Sequence, residues 1–167
     1  LLLAALVPSR WALSKANGVR LGWPGFKMPV EFSFVREVNA AVAPGRVLGP
    51  TEVSQWLVTE RGHAYPLLVK EIYFDEIHRH LAADDLARRR ALMDHMGGER
   101  PVRLGSAAFR AGLAEYGPGG VVLYTPVPWA GEIRGDLAAA GYGPRLERFG
   151  YELWMLDGPG GPAYTSR

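Results

Sequence analysis

The chain has 167 residues, enough for one domain with a sizeable core, and 48% apolar with 22% charged residues is the composition of a folded globular protein rather than a disordered one. A net charge of only +2, spread along the chain, gives no basis for nucleic-acid binding. There is no cysteine, which excludes disulfide frameworks, thiolate zinc sites and cysteine nucleophiles and leaves the redox compartment open.

Leu1 to Val7 is wholly apolar. It reads as the last two turns of a transmembrane helix whose upstream part is missing, with Pro8-Ser9-Arg10-Trp11 as the exit at interface depth. A short apolar strand or a buried helix end is the alternative, because a membrane helix needs roughly 20 residues. Signal-peptide features are absent. Residues 8–30 carry the turn signals Asn17-Gly18, Trp23-Pro24-Gly25 and Met28-Pro29 and read as a linker or ordered loop.

From there the spacing predicts a single α/β domain over 31–157. Phe34, Val35, Val38 and Val42 mark a helix over 31–43, ended by Pro44-Gly45. Arg46 to Gly49 is a short strand, followed by a helix with Thr51 as its N-cap and Glu52 in its first turn, closed at Gly62. Tyr65 to Val69 is an apolar run of the kind buried on both faces of a parallel sheet. A helical region over 74–96 breaks near Ala83, where Asp84 caps the second piece; Ile77 and Leu81 face inward on the first, and Leu86, Met93 and Met96 on the second. A helix over 104–116 buries Ala108, Phe109 and Leu113. Val121 to Tyr124 is a third strand, and 129–141 a helix with Ile133 and Leu137 one turn apart. Residues 145–148 and 151–156 form a hairpin about Phe149-Gly150, and 158–167 read as a flexible tail. Strands separated by helices imply crossovers, hence a three-layer α/β domain with a mostly parallel sheet and a C-terminal antiparallel hairpin at one edge.

In such sheets ligands bind beyond the carboxyl ends of the strands. Three segments meet there: Thr51 and Glu52 after the first strand, Lys70, Glu71 and Tyr73 after the second, and Thr125 after the third. The backbone N–H groups at Thr51 could hold an anion with Lys70 as countercharge, and Glu52 or Glu71 could act as a base. The competing reading makes Thr51 only a cap and Lys70-Glu71 only a charge pair. Asp75, Glu76, His78, His80, Asp84 and Asp85 are dense, but with no HExxH and no third ligand they read as a wet helix surface, and neither metal nor cofactor is expected. Arg88-Arg89-Arg90, flanked by acids, reads as a solvated helix face. Trp56, Trp129 and Trp154 read as core rather than as sugar-stacking platforms. Gly117-Pro118-Gly119-Gly120 precedes its strand, the wrong order for a phosphate loop, and no Walker, GxSxG or GxGxxG motif occurs.

Five stretches carry a resemblance: Asn17 to Pro29 (NGVRLGWPGFKMP), RVLGPTEVSQWL at 46–57, YPLLVKEIYF at 65–74, Arg88 to Gly98, and AGYGPRLERFGYELW at 140–154. Together the pattern resembles the C-terminal soluble part of polytopic bacterial membrane proteins that are similar to envelope glycosyltransferases acting on lipid-linked sugars. The resemblance implies an extracytoplasmic accessory domain of a membrane protein, partnered with the membrane-spanning part of its own chain and with a glycan or lipid-linked sugar. Catalytic carboxylates in that family lie in loops between membrane helices, so none carries over. Arg10, Lys15, Arg20 and Lys27 after the apolar start argue instead for the cytoplasmic side. A small transferase with its site at the strand ends, and an interaction module with exposed aromatics, are the rival readings.

Overall fold

Phe34, Val35, Val38 and Val42 fall on one stripe of a helix, and all four side chains are buried in helix α1 (Val30–Val42). The computed structural model describes residues 30–42, 44–59, 64–68, 80–97 and 100–156. The expectations for 1–7, 8–30 and 158–167, for Gly62, and for Ile77 fall outside them. Glu31–Arg167 forms one compact unit.

After α1 come β1 (Gly45–Leu48), α2 (Thr51–Thr59), β2 (Ala64–Pro66), α3 (Ala83–His95), α4 (Ser106–Tyr116), β3 (Gly120–Tyr124), α5 (Ala130–Ala139), β4 (Tyr142–Arg148) and β5 (Tyr151–Leu156). The five strands lie in the order β2-β1-β3-β5-β4. β1 pairs parallel with β2 and with β3, while β5 pairs antiparallel with β3 and β4. The fold is therefore α/β with a mixed sheet: a parallel core and an antiparallel C-terminal hairpin. The hairpin extends the sheet beyond β3, as expected, with its second strand, β5, next to β3 and β4 at the edge.

Alternation along the strands sends neighbouring residues to different cores. Leu48, Val121, Leu123 and Trp154 pack with Leu92, Met96, Phe109, Leu113, Ile133 and Leu137. Val47, Val122, Tyr151 and Leu153 pack with Phe34, Val35, Val38, Val42, Val53 and Leu57. The continuous apolar run of β3 is thus explained by burial on both sides.

In the run at 65–69, Leu67 and Leu68 are buried as expected and Val69 lies outside the described residues, but the strand itself is shorter than expected. β2 is only three residues long and lies at the sheet edge, with Tyr65 60% exposed. Pro66 accounts for this. Leu67 N–H donates to the Val47 carbonyl at 2.7 Å, beside the Val47–Pro66 pair, so the nitrogen that lacks a proton sits where no ladder bond is required.

Three local expectations need correction. Ser54 N–H donates to the Pro50 carbonyl at 3.0 Å, so Pro50 takes the cap position and Thr51 is already inside α2. Ala82, in extended conformation, precedes α3 without a side-chain cap, and Asp84 and Asp85 occupy its first turn, where acids favour the helix dipole. Ala108 is exposed, and the buried face of α4 runs through Phe109, Gly112, Leu113 and Tyr116. Gly112 is there because an added Cβ would sit 2.6 Å from Leu92, at the α3–α4 contact.

Polar networks fasten the elements. Tyr116 hydroxyl donates to Asp85 Oδ1 at 2.6 Å and, as the largest influence, holds the Asp85 carboxyl below its usual range. Arg88 pairs with Asp84 and Glu115, and Arg89 lies over the Tyr116 ring, pairs with Asp85 and donates to the Leu67 carbonyl. The arginine run is therefore a strut between α3, α4 and the end of β2 rather than only a solvated face. Arg134 of α5 grips the buried Glu152, which also accepts from the Trp154 indole at 2.9 Å. Tyr142 donates to the Pro118 carbonyl at 2.7 Å, and burial pushes its phenol up to about 12.

Candidate functional site

The chain leaves β1 through α2 towards β2 on one side, and leaves β3 through α5 towards β4 on the other. Connections that diverge from two adjacent parallel strands open a crevice beyond their carboxyl ends, the place where open α/β sheets take ligands. In this sheet that switch point falls between β1 and β3. Gly49 brings the first connection close to β3, since a Cβ there would lie 3.2 Å from that of Val122. Ser54 Oγ donates back to the Gly49 carbonyl at 3.3 Å, which steadies the turn into α2.

Thr51, 8% exposed, and Glu52, half-buried, form the first two positions of α2 at this edge. Glu52 Oε2 is buried and has no hydrogen-bond partner among the described residues. A buried carboxylate oxygen without a donor is costly, so this atom is a ready acceptor. Across the edge, the Thr125 N–H donates to the Gly150 carbonyl at 2.8 Å and its side chain is half-buried. Thr51 and Glu52 thus open the helix that follows β1, and Thr125 directly follows β3, with no hydrogen bond joining Thr51 to Thr125 among the described residues. Lys70 and Tyr73, with Glu71, lie outside the described residues.

No family model, no curated protein and no solved structure matches this chain. What the edge can do is therefore read from its own chemistry. It offers a carboxylate acceptor and two hydroxyls, groups suited to binding ligand hydroxyls and amines. Among the described residues no group of three His, Asp or Glu side chains could hold a metal, and no helix is long and apolar enough to cross a membrane. His80 and Asp84 are exposed, and Asp75, Glu76 and His78 lie outside the described residues. Trp154 is buried in the core, whereas Trp56 and Trp129 are only half-buried.

Two features of this region escaped the sequence reading. One is His95, buried at 2% exposure at the end of α3. It stands three residues after Leu92 on the buried face, so helical spacing could have found it. The other is the exposure and backbone strain of Phe149, whose place at the hairpin turn was expected. β4 and β3 both run antiparallel to β5, so the β4–β5 turn lies at the same edge as Thr125. Phe149 and Gly150 have φ of 54° and 80°, the two positive values that a mirror-image two-residue hairpin turn requires. Phenylalanine is strained there, yet it is 52% exposed. Phe149→Asn should stabilise the protein by about 1 kcal/mol in urea unfolding, because asparagine enters this region readily. A loss of stability would mean that the ring contributes more by packing than its backbone costs.

Proposed function

We propose that this chain is an accessory domain of a bacterial envelope membrane protein, similar to lipid-linked-sugar glycosyltransferases, and that it holds a sugar rather than transforming it. The two helical sets would make a three-layer stack about the sheet, presenting the β1–β3 crevice as the binding edge. The observation that carries this reading is the buried, donor-less Oε2 of Glu52 in the first turn of α2. Sugar hydroxyls are donors that a fixed carboxylate takes well, with Thr51 and Thr125 as neighbouring hydroxyls. Asp85 is committed to Tyr116 and Arg89, and Glu152 to Arg134 and Trp154. The sequence resemblance supports the envelope setting.

The test is NMR titration of the full chain with free glucose, mannose and galactose. Shifts should concentrate at Thr51, Glu52 and Thr125. Glu52→Gln should weaken binding roughly tenfold, the scale of losing one hydrogen bond to a charged acceptor. The reading fails if none of these sugars moves those amides and the native protein is recovered away from bacterial membranes.

The exposed Phe149 favours a second reading, an interaction module, because an aromatic kept at a strained turn would serve a partner better than the fold. In that case Phe149→Asn stabilises the domain and weakens partner capture together.

A further inference from the structure

His95 closes α3, and its ring is shut between two aromatic side chains. It meets Phe109 of α4 edge-on at 4.8 Å and lies parallel to Trp129 at 6.0 Å, with 3° between the planes. The Trp129 indole donates to the His95 carbonyl at 3.0 Å, which fixes the stack. The backbone N–H of Leu104 donates to His95 Nδ1 at 3.0 Å. A ring nitrogen that accepts a hydrogen bond carries no proton, so the ring is neutral, with its proton on Nε2.

This bond fastens the strap of residues 100–105 that leads into α4. The strap has further ties. Val102 N–H donates to the Asp94 carbonyl at 3.1 Å, and Arg103 makes a two-toothed pair with Glu132 at 2.8 and 3.1 Å on the surface. Met96, next to His95, accepts from Tyr124 N–H at 3.0 Å, so the end of α3 lies against the carboxyl end of β3.

We propose that His95 is a proton-operated latch: neutral, it accepts the Leu104 N–H and pins the Leu104 end of the 100–105 strap to the end of α3; protonated, it faces that N–H with a second N–H, and the Leu104 end lets go. The chemistry is local. Protonation replaces the Nδ1 lone pair by a donor, and two opposed donors cannot share a hydrogen bond. The strap's remaining ties are the Val102 N–H bond to the Asp94 carbonyl, the exposed Arg103–Glu132 pair, a weak class of contact, and a Val102 backbone bond to His95 that favours the protonated ring, so release is confined to the Leu104 end.

The charges that face the ring come from α5 and the strap. The Val102 backbone of the strap, then Asp136 and Glu132 of α5, favour the protonated form, and Arg103 of the strap opposes it. Asp136 is paired with Arg110 of α4 at 3.6 Å and Glu132 with Arg103, which blunts the pull of both carboxylates. Burial is the strongest influence, and it holds the imidazole below the ordinary histidine value of about 6.5. Between that depressed value and about 6.5 the unfolded chain binds more protons than the folded one, so stability is complete above this window and declines as pH falls through it.

The latch stands apart from the sugar-holding reading and is tested on the full chain without ligand. Amide exchange protection at Leu104 and the His95 ring nitrogen shifts are followed by NMR from about pH 8 to about pH 5. Leu104 protection should fall at least tenfold in step with the His95 titration, while Val121 to Leu123 of β3 stay protected. His95→Asn, whose side-chain oxygen offers an acceptor at every pH, should hold Leu104 protection constant. The proposal is overturned if Leu104 stays protected while His95 titrates, if β3 loses protection in step, or if His95 stays neutral throughout. Should His95→Asn not fold, the wild-type comparison of Leu104, His95 and β3 decides alone.

Discussion

Phe109→Ala will destabilise the domain by about 3–5 kcal/mol, the usual cost of emptying a fully buried aromatic site. Phe109 is wholly buried in the cluster that joins α3, α4 and α5 to the sheet, and its ring forms one wall of the His95 enclosure. The loss therefore has two parts. The first is the cavity itself, read as a lower urea midpoint at neutral pH. The second is wetting of His95, because burial is what keeps its imidazole neutral. The variant should accordingly lose less stability between neutral and mildly acid pH than the parent does. A cost under about 1 kcal/mol would show that α4 collapses into the space and that this core is loosely packed.

The second large effect is expected at Gly97. Its φ is +107°, and a Cβ there would lie 2.8 Å from Tyr124 Cβ and 2.9 Å from Val127 Cγ1. Gly97→Ala therefore combines backbone strain with a clash against the end of β3, and should cost roughly 2–4 kcal/mol in thermal or urea unfolding. Leu123 and Tyr124 would be the first β3 amides to lose exchange protection, since Met96 anchors Tyr124. If the cost is below about 1 kcal/mol, the end of α3 is free to shift, and the strap does not depend on its placement.

The elements themselves were legible where one physical cause dominated. Phe34, Val35, Val38 and Val42 mark α1 because a helix stripe must be apolar to bury. Val121 to Leu123 mark β3 because both of its faces are covered. Phe149-Gly150 marks the hairpin turn by position alone. What failed was what periodicity does not carry. It says which residues face inward but not which strand is the neighbour, so the insertion of β5 beside β3 was invisible. Thr51 has a better capping side chain than Pro50, yet the bond from Ser54 to the Pro50 carbonyl decides the helix start. Ala108 lies beside Phe109 on the helix, and the inward slot went to Gly112 because only a missing side chain lets Leu92 approach.

The candidate site was legible only in part. Thr51, Glu52 and Thr125 follow from the general geometry of strand ends, while the unpartnered oxygen of Glu52 is a matter of three-dimensional surroundings. His95 carried a usable signal in its spacing from Leu92, but its bond to Leu104 depends on how the intervening chain returns.

The placement of β5 also constrains how the chain acquires its shape as it is made. β4 leaves the ribosome before β5 yet has no contact in the sheet except through it. β3 likewise has only β1 for a neighbour until Tyr151 to Leu156 arrive. Half of the sheet thus waits for one late six-residue segment, and a nascent chain stalled before Tyr151 would present the edges of both β3 and β4 unpaired, the kind of surface that recruits chaperones or a second nascent chain.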